Sequence, residues 1–433
     1  MNKSPKTLYL PFKRINMKKF YLVFALLFTV STPVFAQVEN EIDPPFNIKT
    51  VSFMQNGQNV VPFFRMGENF QFRFDDLYYS EQDYFYTITH CDYDWKPSSL
   101  SKMEYLTGFD NIRIQNYENS QNTLQGYSHY VLSIPNSQTT QIKISGNYIL
   151  KIFDSNGDLM LSRRFVYYES TVGVSTQIKR SRTISDIDLM HNLDFTIKPG
   201  NLILQNPNRN VRVALLQNGV WNTAIKNIRP QYTIGTDLVY KYDKETSFYG
   251  GNELLYLETK DVRAGNNTIL KVTSGELYNT HLYPNLARAN DPYTYFPDVN
   301  GNFVSSVVGR SNAFTEADYT WVYFTLKAPT YFGKEDVYIN GMFNNYALTD
   351  EYKMDYDSKN GVYTKALLIK QGFTNYQYVL ANNKKQINQK DAIDGNFYQT
   401  ENDYYVLVYY KGTTDRYDRV LGLGKANSVD IVN

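Results

Sequence analysis

An all-β protein of tandem sandwiches is what this sequence predicts, and three observations predict it. Apolar and aromatic residues alternate with period two in several short runs, Asn-Gly pairs punctuate such runs, and no window longer than ten residues shows capped helical periodicity. Aromatic residues make up 16% of the 433, with 39 Tyr and 26 Phe beside 43 Asn. Rings suit a pleated surface and Asn tolerates turn geometry, so composition and pattern agree.

At about 100 to 200 residues per domain, the length predicts two to four cores. The formal charge of +1 supplies no basic stripe for nucleic acid. The single cysteine, Cys91, excludes a disulfide scaffold, a Cys-rich zinc site and an iron–sulfur cluster.

Taken in order, the chain first shows Lys18-Lys19, an apolar run from Phe20 to Val30, and Ser-Thr-Pro-Val-Phe-Ala ending at Ala36. These are the three regions of a secretory signal peptide over residues 1–36, with 1–16 as an upstream extension if Met17 is the start. The run of about 11 to 14 apolar residues is too short to span a bilayer. Cleavage after Ala36 leaves 38 basic against 43 acidic residues, a net of −5. Cys91 is then an unpaired thiol in an exported protein, expected as a small buried hydrophobe.

In the N-terminal sandwich, expected over 37–170, Asn69 to Phe74 alternates so that Phe70, Phe72 and Phe74 share a face. Two apolar runs between Asn147 and Val166 flank Asp154-Ser155-Asn156-Gly157-Asp158, a hairpin turn by its central Asn-Gly. That turn imitates the start of a calcium loop but lacks Gly at the sixth position (Leu159) and Glu at the twelfth (Phe165). The polar stretch Ser175 to Ser185, with Lys179, Arg180 and Arg182, is expected as a linker or domain edge. A middle β-rich domain follows over 171–317, with Asn218-Gly219 after Val211 to Leu216. Its His281 to Asn302 stretch is expected as a long structured loop, because Tyr283, Tyr293, Tyr295 and Phe296 need somewhere to pack. The last domain, 318–433, opens with the strand Tyr319 to Leu326. In the Tyr404-Tyr405 and Tyr409-Tyr410 pairs, one ring of each belongs to a core and the other to a second, exposed face.

Motifs for catalysis are missing from the chain. None of the four His residues forms H-E-x-x-H, and there is no G-x-S-x-G elbow, no phosphate loop and no dinucleotide fingerprint. Catalytic, cofactor-binding and metal residues are therefore not assigned. His90, Asp92 and Asp94 form the densest polar cluster and could serve as acid, base or ligand. As a strand end after Tyr84 to Thr89, their carboxylates cap local amides instead.

Val337 to Tyr346, Gly361-Val362-Tyr363 and Gly372 to Val379 resemble the early-set immunoglobulin-like fold of glycogen- and starch-binding modules. In that family tryptophans stack on sugar. Here the first such position is Tyr346, and the second falls in Ala381 to Gln386, which has no aromatic residue, so the resemblance implies the fold without glycan binding. Over positions 45 to 424 the chain resembles the plug protein of the type IX secretion translocon of Bacteroidota. The run His90 to Asn111 carries that match, as do Asn116 to Tyr130, Ser145 to Asp154, Arg163 to Phe165, Gly250 to Glu253, Ala317 to Tyr319, Lys370 to Val379 and Gly395 to Gly412. The resemblance implies a non-enzymatic periplasmic protein that seals the periplasmic mouth of a giant outer-membrane β-barrel and touches the membrane only through that partner. Aromatic and polar residues on N-terminal loops, Tyr93, Trp95, Tyr105, Phe109, Tyr117 and Asn119, are the candidate protein interface. An exported glycan-binding sandwich protein is the alternative.

Mass spectrometry of the exported protein is expected to find Gln37 at its N-terminus; a chain still carrying residues 17–36 would overturn the signal-peptide assignment.

Overall fold

Alternation in Phe70–Asp76 buries Phe70, Phe72 and Phe74 on one face, and the first sandwich is built around them. A computed structural model describes residues 38–328 and 332–431; the signal segment expected at 1–36 lies outside them. One five-stranded sheet runs Gln58–Asn59, Ile48–Gln55, Phe70–Asp76, Ser128–Ile134, Asn116–Asn119, and the other Phe63–Arg65, Leu159–Tyr168, Gly146–Phe153, Phe85–Cys91, Ile112–Arg113. Rings from both sheets fill the space between them, with Phe64 stacked on Phe70 at 4.1 Å and Phe74 on Tyr130 at 5.1 Å. Gly146–Phe153 and Leu159–Tyr168 pair as the expected hairpin. In its turn Asp154 Oδ1 accepts from the amides of Asn156 (2.9 Å) and Asp158 (2.8 Å), so the calcium-like residues cap their own backbone.

The second sandwich has one sheet of Gly173–Arg180, Met190–Lys198, Asp237–Tyr240 and Tyr232–Ile234, with Ser247–Tyr249 also on Met190–Lys198. The polar stretch expected as a linker is thus largely strand. Its basic residues are paired across the surface, Lys179 with Asp194, Arg180 with Asp188 and Arg182 with Asp243. The opposing sheet runs Ile225–Lys226, Val211–Gln217, Asp403–Tyr410, Arg419–Asn427.

That last sheet corrects the expected domains 171–317 and 318–433. Asp403–Tyr410 pairs residue by residue with Val211–Gln217, from Val211↔Tyr410 to Gln217↔Tyr404, so the end of the chain completes the second sandwich. Conversely Leu255–Glu258, Ile269–Ser274, Tyr278–Leu282 and Phe303–Ser305 pair with strands beyond 318 and belong to a third. The third sandwich, roughly residues 252–400, is an insertion in the second. Its strands Tyr319–Lys327, Val362–Lys370 and Gly372–Ala381 form the longest ladders. Gly250 and Asn402 mark the two crossings, and Asn402 Nδ2 donates to the Gly250 carbonyl at 2.8 Å.

Both faces of Asp403–Tyr410 are buried. Tyr404, Val406, Val408 and Tyr410 enter the second core, while Leu407 and Tyr409, with Tyr405 half-buried, pack against the first sandwich. The face expected to be exposed is therefore a contact between sandwiches.

Of the Asn-Gly pairs, Asn56-Gly57, Asn156-Gly157 and Asn360-Gly361 close hairpins. Asn218-Gly219 leads into a short 3-10 turn (Trp221–Thr223) before its flanks pair, and Asn300-Gly301 precedes a strand that pairs with Gly372–Ala381. Both lie at the junction of the sandwiches.

Gly372 has φ of 144°, and a Cβ there would lie 2.1 Å from the Val304 carbonyl oxygen. Gly372→Ala is expected to cost about 2 to 3 kcal/mol, read as a lowered urea midpoint. Gly157→Ala, at φ 85° with open space around it, costs about 1 kcal/mol from left-handed backbone alone.

Candidate functional site

Three contacts hold the sandwiches together, and they differ in chemistry. Between the first and second the contact is an apolar core. Phe63, Cys91, Tyr93, Trp95, Ile149 and Val166 meet Ala214, Leu216, Leu407, Tyr409 and Val420. Polar groups border it: Tyr409 donates to Asn147 Oδ1 at 2.8 Å, and Arg419 grips the Glu169 carboxylate with two nitrogens, at 2.9 and 2.6 Å.

Between the first and third sandwiches the contact centres on charge. Asp75, fully buried at the end of Phe70–Asp76, receives the Lys370 ammonium (2.6 Å) and the Tyr319 hydroxyl (2.6 Å) on Oδ2, and His129 Nδ1 (2.6 Å) on Oδ1. Asp75 and His129 come from the first sandwich, Lys370 and Tyr319 from the third. Burial pushes the Asp75 carboxyl up. The Lys370 charge and the hydrogen bonds from His129 and Lys370 outweigh burial and hold the carboxyl below the ordinary carboxylate value. Lys370 also donates to the Phe314 carbonyl at 2.7 Å and lies 4.1 Å over the Tyr127 ring.

A bulge aims the neighbouring strand at the same partner. Register shifts between Lys49 and Ser52, with Thr50 at φ 53°. Thr50 then reaches the Tyr319 hydroxyl and Lys49 pairs with Glu351 of the third sandwich. A β-branched residue rarely adopts positive φ, so strain is stored where the two sandwiches meet.

The third contact is a junction of turns: Asn59 to Val61 from the first sandwich, Asn218-Gly219 from the second, Asn300 to Asn302 and Met342 to Tyr346 from the third. Asn59 Nδ2 donates to the Phe303 carbonyl (2.8 Å), Asn302 Nδ2 to the Asn59 carbonyl (3.0 Å), and Asn345 Nδ2 to Glu41 (3.1 Å). Cavities of about 70, 110 and 220 Å³ lie among these turns. They open beside a cleft of about 810 Å³ lined by Asn40, Glu41, Arg164, Asn345, Asp350 and Lys385.

Of the six candidate interface residues, three are inside the molecule. Tyr93 donates to the Val213 carbonyl at 2.7 Å, Trp95 packs edge-on to Trp221 at 5.0 Å, and Tyr105 lies in the first core with its hydroxyl on the Ile88 carbonyl. Their burial, 1 to 3% exposed, makes them unavailable to a partner, because they anchor the chain to itself. Tyr117 is half-buried, stacked on Tyr130 and bonded to Glu81. Phe109, 70% exposed, and Asn119 lie at the surface.

The polar cluster beside them is structural. His90 is buried between Ser98 Oγ (2.9 Å) and the Ser145 carbonyl (3.3 Å), and burial lowers its pKa to about 4. Asp92 Oδ1 accepts from the amides of Asp94 (2.9 Å) and Lys96 (3.0 Å), and Asp94 faces Arg212 at 3.7 Å. Cys91 is buried, which pushes its thiol up to about 12. Tyr346 is 8% exposed, so its ring cannot stack on a sugar. In the Ala381 to Gln386 turn, Lys385 lies over the Tyr338 ring at 4.7 Å. Among the described residues no group of three or more His, Cys, Asp or Glu is placed to hold a metal ion, and no helix is long and apolar enough to cross a membrane.

Sequence reasoning missed Asp75, His129, Tyr319 and Lys370, whose positions differ by up to 295. The available signal was a charge closing an apolar run, Asp75 after Phe74 and Lys370 after Ile369.

Residues 48–169, the first sandwich, match the family model described as the type 9 secretion system plug protein 1st domain. The match supports a plug-type protein with a role in type IX secretion and a place in the cell envelope. A crystal structure of a hypothetical protein from Parabacteroides merdae ATCC 43184 is similar to this chain at 29% identity and a TM-score of 0.86, covering 90% of this chain and 100% of its own. A biofilm-associated protein BSP domain and three N-terminal domains of the bacteriophage RB49 Hoc protein align at TM-scores of 0.17 and 0.14, too low to indicate a shared fold. No curated protein matches the chain.

Asp75→Ala strands the Lys370 ammonium in a buried site and is expected to cost about 3 to 5 kcal/mol, read in urea unfolding. Asp75→Leu with Lys370→Met is expected to recover most of that loss. Because the folded pKa of Asp75 lies below its unfolded value, its contribution is complete above the unfolded pKa and lost as pH falls through the folded one. The contribution of the Asp75 carboxylate should therefore be lost only as pH falls below about 4, while burial, which lowers the Lys370 ammonium from its ordinary value, limits the pair on the alkaline side.

Proposed function

We propose that this protein is a non-enzymatic periplasmic plug, one that binds and seals the periplasmic opening of the giant outer-membrane β-barrel of type IX secretion while no substrate passes. The match of residues 48–169 to the plug protein 1st domain carries this reading. The architecture supports it physically. A pore wide enough for folded proteins leaks solutes unless something bulky fills its mouth, and the first and second sandwiches, joined by an apolar core, present large surfaces already ordered. Rigid surfaces lose little entropy on docking.

The polar-aromatic exterior suits a reversible, wet interface rather than an obligate apolar one. Phe109 and Asn119, with the accessible part of Tyr117, are the part of the candidate set that a partner can reach. Met103, 81% exposed, lies on the short helix Lys102–Tyr105, one short strand before Phe109. We read the third sandwich as early-set immunoglobulin-like, supported by the Gly341 to Tyr346 turn and the Gly372 to Val379 strand. With Tyr346 buried, the glycan-binding alternative loses the ring it would need.

Deleting the protein in cells with an intact, idle translocon is expected to admit a large antibiotic across the outer membrane; unchanged permeability would sink the proposal. Phe109→Asp is expected to weaken co-purification with the barrel at least about tenfold if Phe109 is an anchor, with the thermal unfolding midpoint unchanged.

A further inference from the structure

We propose that the third sandwich is a hinged arm: it swings about its two chain crossings into the second sandwich, and its contact with the first is a latch that opens while the first and second stay joined. Three independent observations carry this. The first is the difference between contacts already described. Separating the first and second sandwiches exposes an apolar core, which water opposes in proportion to area. Separating the first and third exposes a smaller apolar cluster, Tyr127, Tyr319 and Leu368 with Leu77, Leu277 and Trp321 beside them, and returns Asp75, Lys370 and His129 to water, where the hydration regained offsets most of the Coulomb attraction lost.

The second observation is packing. Each of the cavities of about 70, 110 and 220 Å³ and the 810 Å³ cleft has lining residues from the third sandwich. Within sandwiches, by contrast, rings stack at 4 to 5 Å, as Phe64 does on Phe70 at 4.1 Å. Voids and water-sized gaps forfeit dispersion contacts, so the arm is seated more loosely than the cores are packed.

The third observation is unpaired polarity. Glu253 Oε2, Asn340 Nδ2, Asn300 Oδ1 and Tyr346 OH are buried and make no hydrogen bond among the described residues. All four belong to residues lining the cavity of about 110 Å³ between the second and third sandwiches. Closing the arm thus carries a desolvation cost that opening relieves. The crossings allow movement at two points only, Gly250-Gly251, with Gly251 at φ 67°, and Thr400 to Asn402.

Hydrogen exchange on the full chain tests the hinge, because amides that bridge each contact are known. Gln121 donates to the Thr315 carbonyl (2.8 Å) and Leu124 to Asp318 (2.8 Å) across the latch, whereas Glu169 donates to the Val420 carbonyl (2.8 Å) and the Tyr93 amide to Asp418 (3.1 Å) across the fixed contact. The latch amides are expected to exchange at least about tenfold faster than the fixed pair. Lys370→Met is expected to speed the latch amides by about tenfold more, leave the fixed pair and the Tyr319–Lys327 strand unchanged, and raise the radius of gyration in small-angle scattering. Exchange of both groups together, or a Lys370→Met chain with the wild-type radius of gyration, overturns the proposal. If that variant does not fold, wild type in rising urea decides: latch protection must be lost before fixed-contact protection, and simultaneous loss overturns it.

Discussion

A carboxylate with no exposed surface is the constraint on which the arrangement of this molecule turns. Asp75 sits where its own sandwich ends, and an isolated charge there would be prohibitively desolvated. Its own sandwich supplies only His129; the ammonium and the hydroxyl that complete its shell belong to the third sandwich. The ion pair therefore works as a register mark. The third sandwich cannot slide along the first by one residue without leaving a buried charge on each side, and the Thr50 bulge repeats that demand one strand away.

Aromatic residues do the complementary work. The Asp403–Tyr410 strand places rings on both faces, so one ladder serves as wall of the second core and as mate of the first sandwich. Tyrosine suits that double duty, because each ring buries a large area and its hydroxyl reaches a partner at the edge, as Tyr409 does at Asn147 and Tyr93 at Val213. Most buried tyrosines fill the sandwich cores, and a smaller set, Tyr93, Tyr409, Tyr127 and Tyr319, joins one sandwich to another.

Local pattern revealed the strands, the Asp154 hairpin and the caps at Asp92, because period-two alternation and Asx turns are determined by neighbours in sequence. Domain boundaries after 250 were hidden, since nothing in Asp403–Tyr410 tells that its hydrogen bonds go to Val211–Gln217 across an inserted domain. Buried aromatic residues are hidden for a related reason: Tyr93 and Trp95 lie on a turn of a sandwich, where exposure is the natural expectation, and only a second sandwich covers them. Asp75 and Lys370 were invisible as a pair because each looks like an ordinary charge closing a strand.

The interrupted second sandwich also dictates an order of assembly. A ribosome delivers Val211–Gln217 long before Asp403–Tyr410, so the first sandwich can close as soon as residue 170 is available while the second waits, an edge strand unpaired, until the third has folded in between. Such an edge invites pairing with foreign strands. A chain shortened by its last thirty residues would lose the mate of the first sandwich along with its own C-terminus, and the aggregation hazard falls on the half-built middle of the molecule, not on its end.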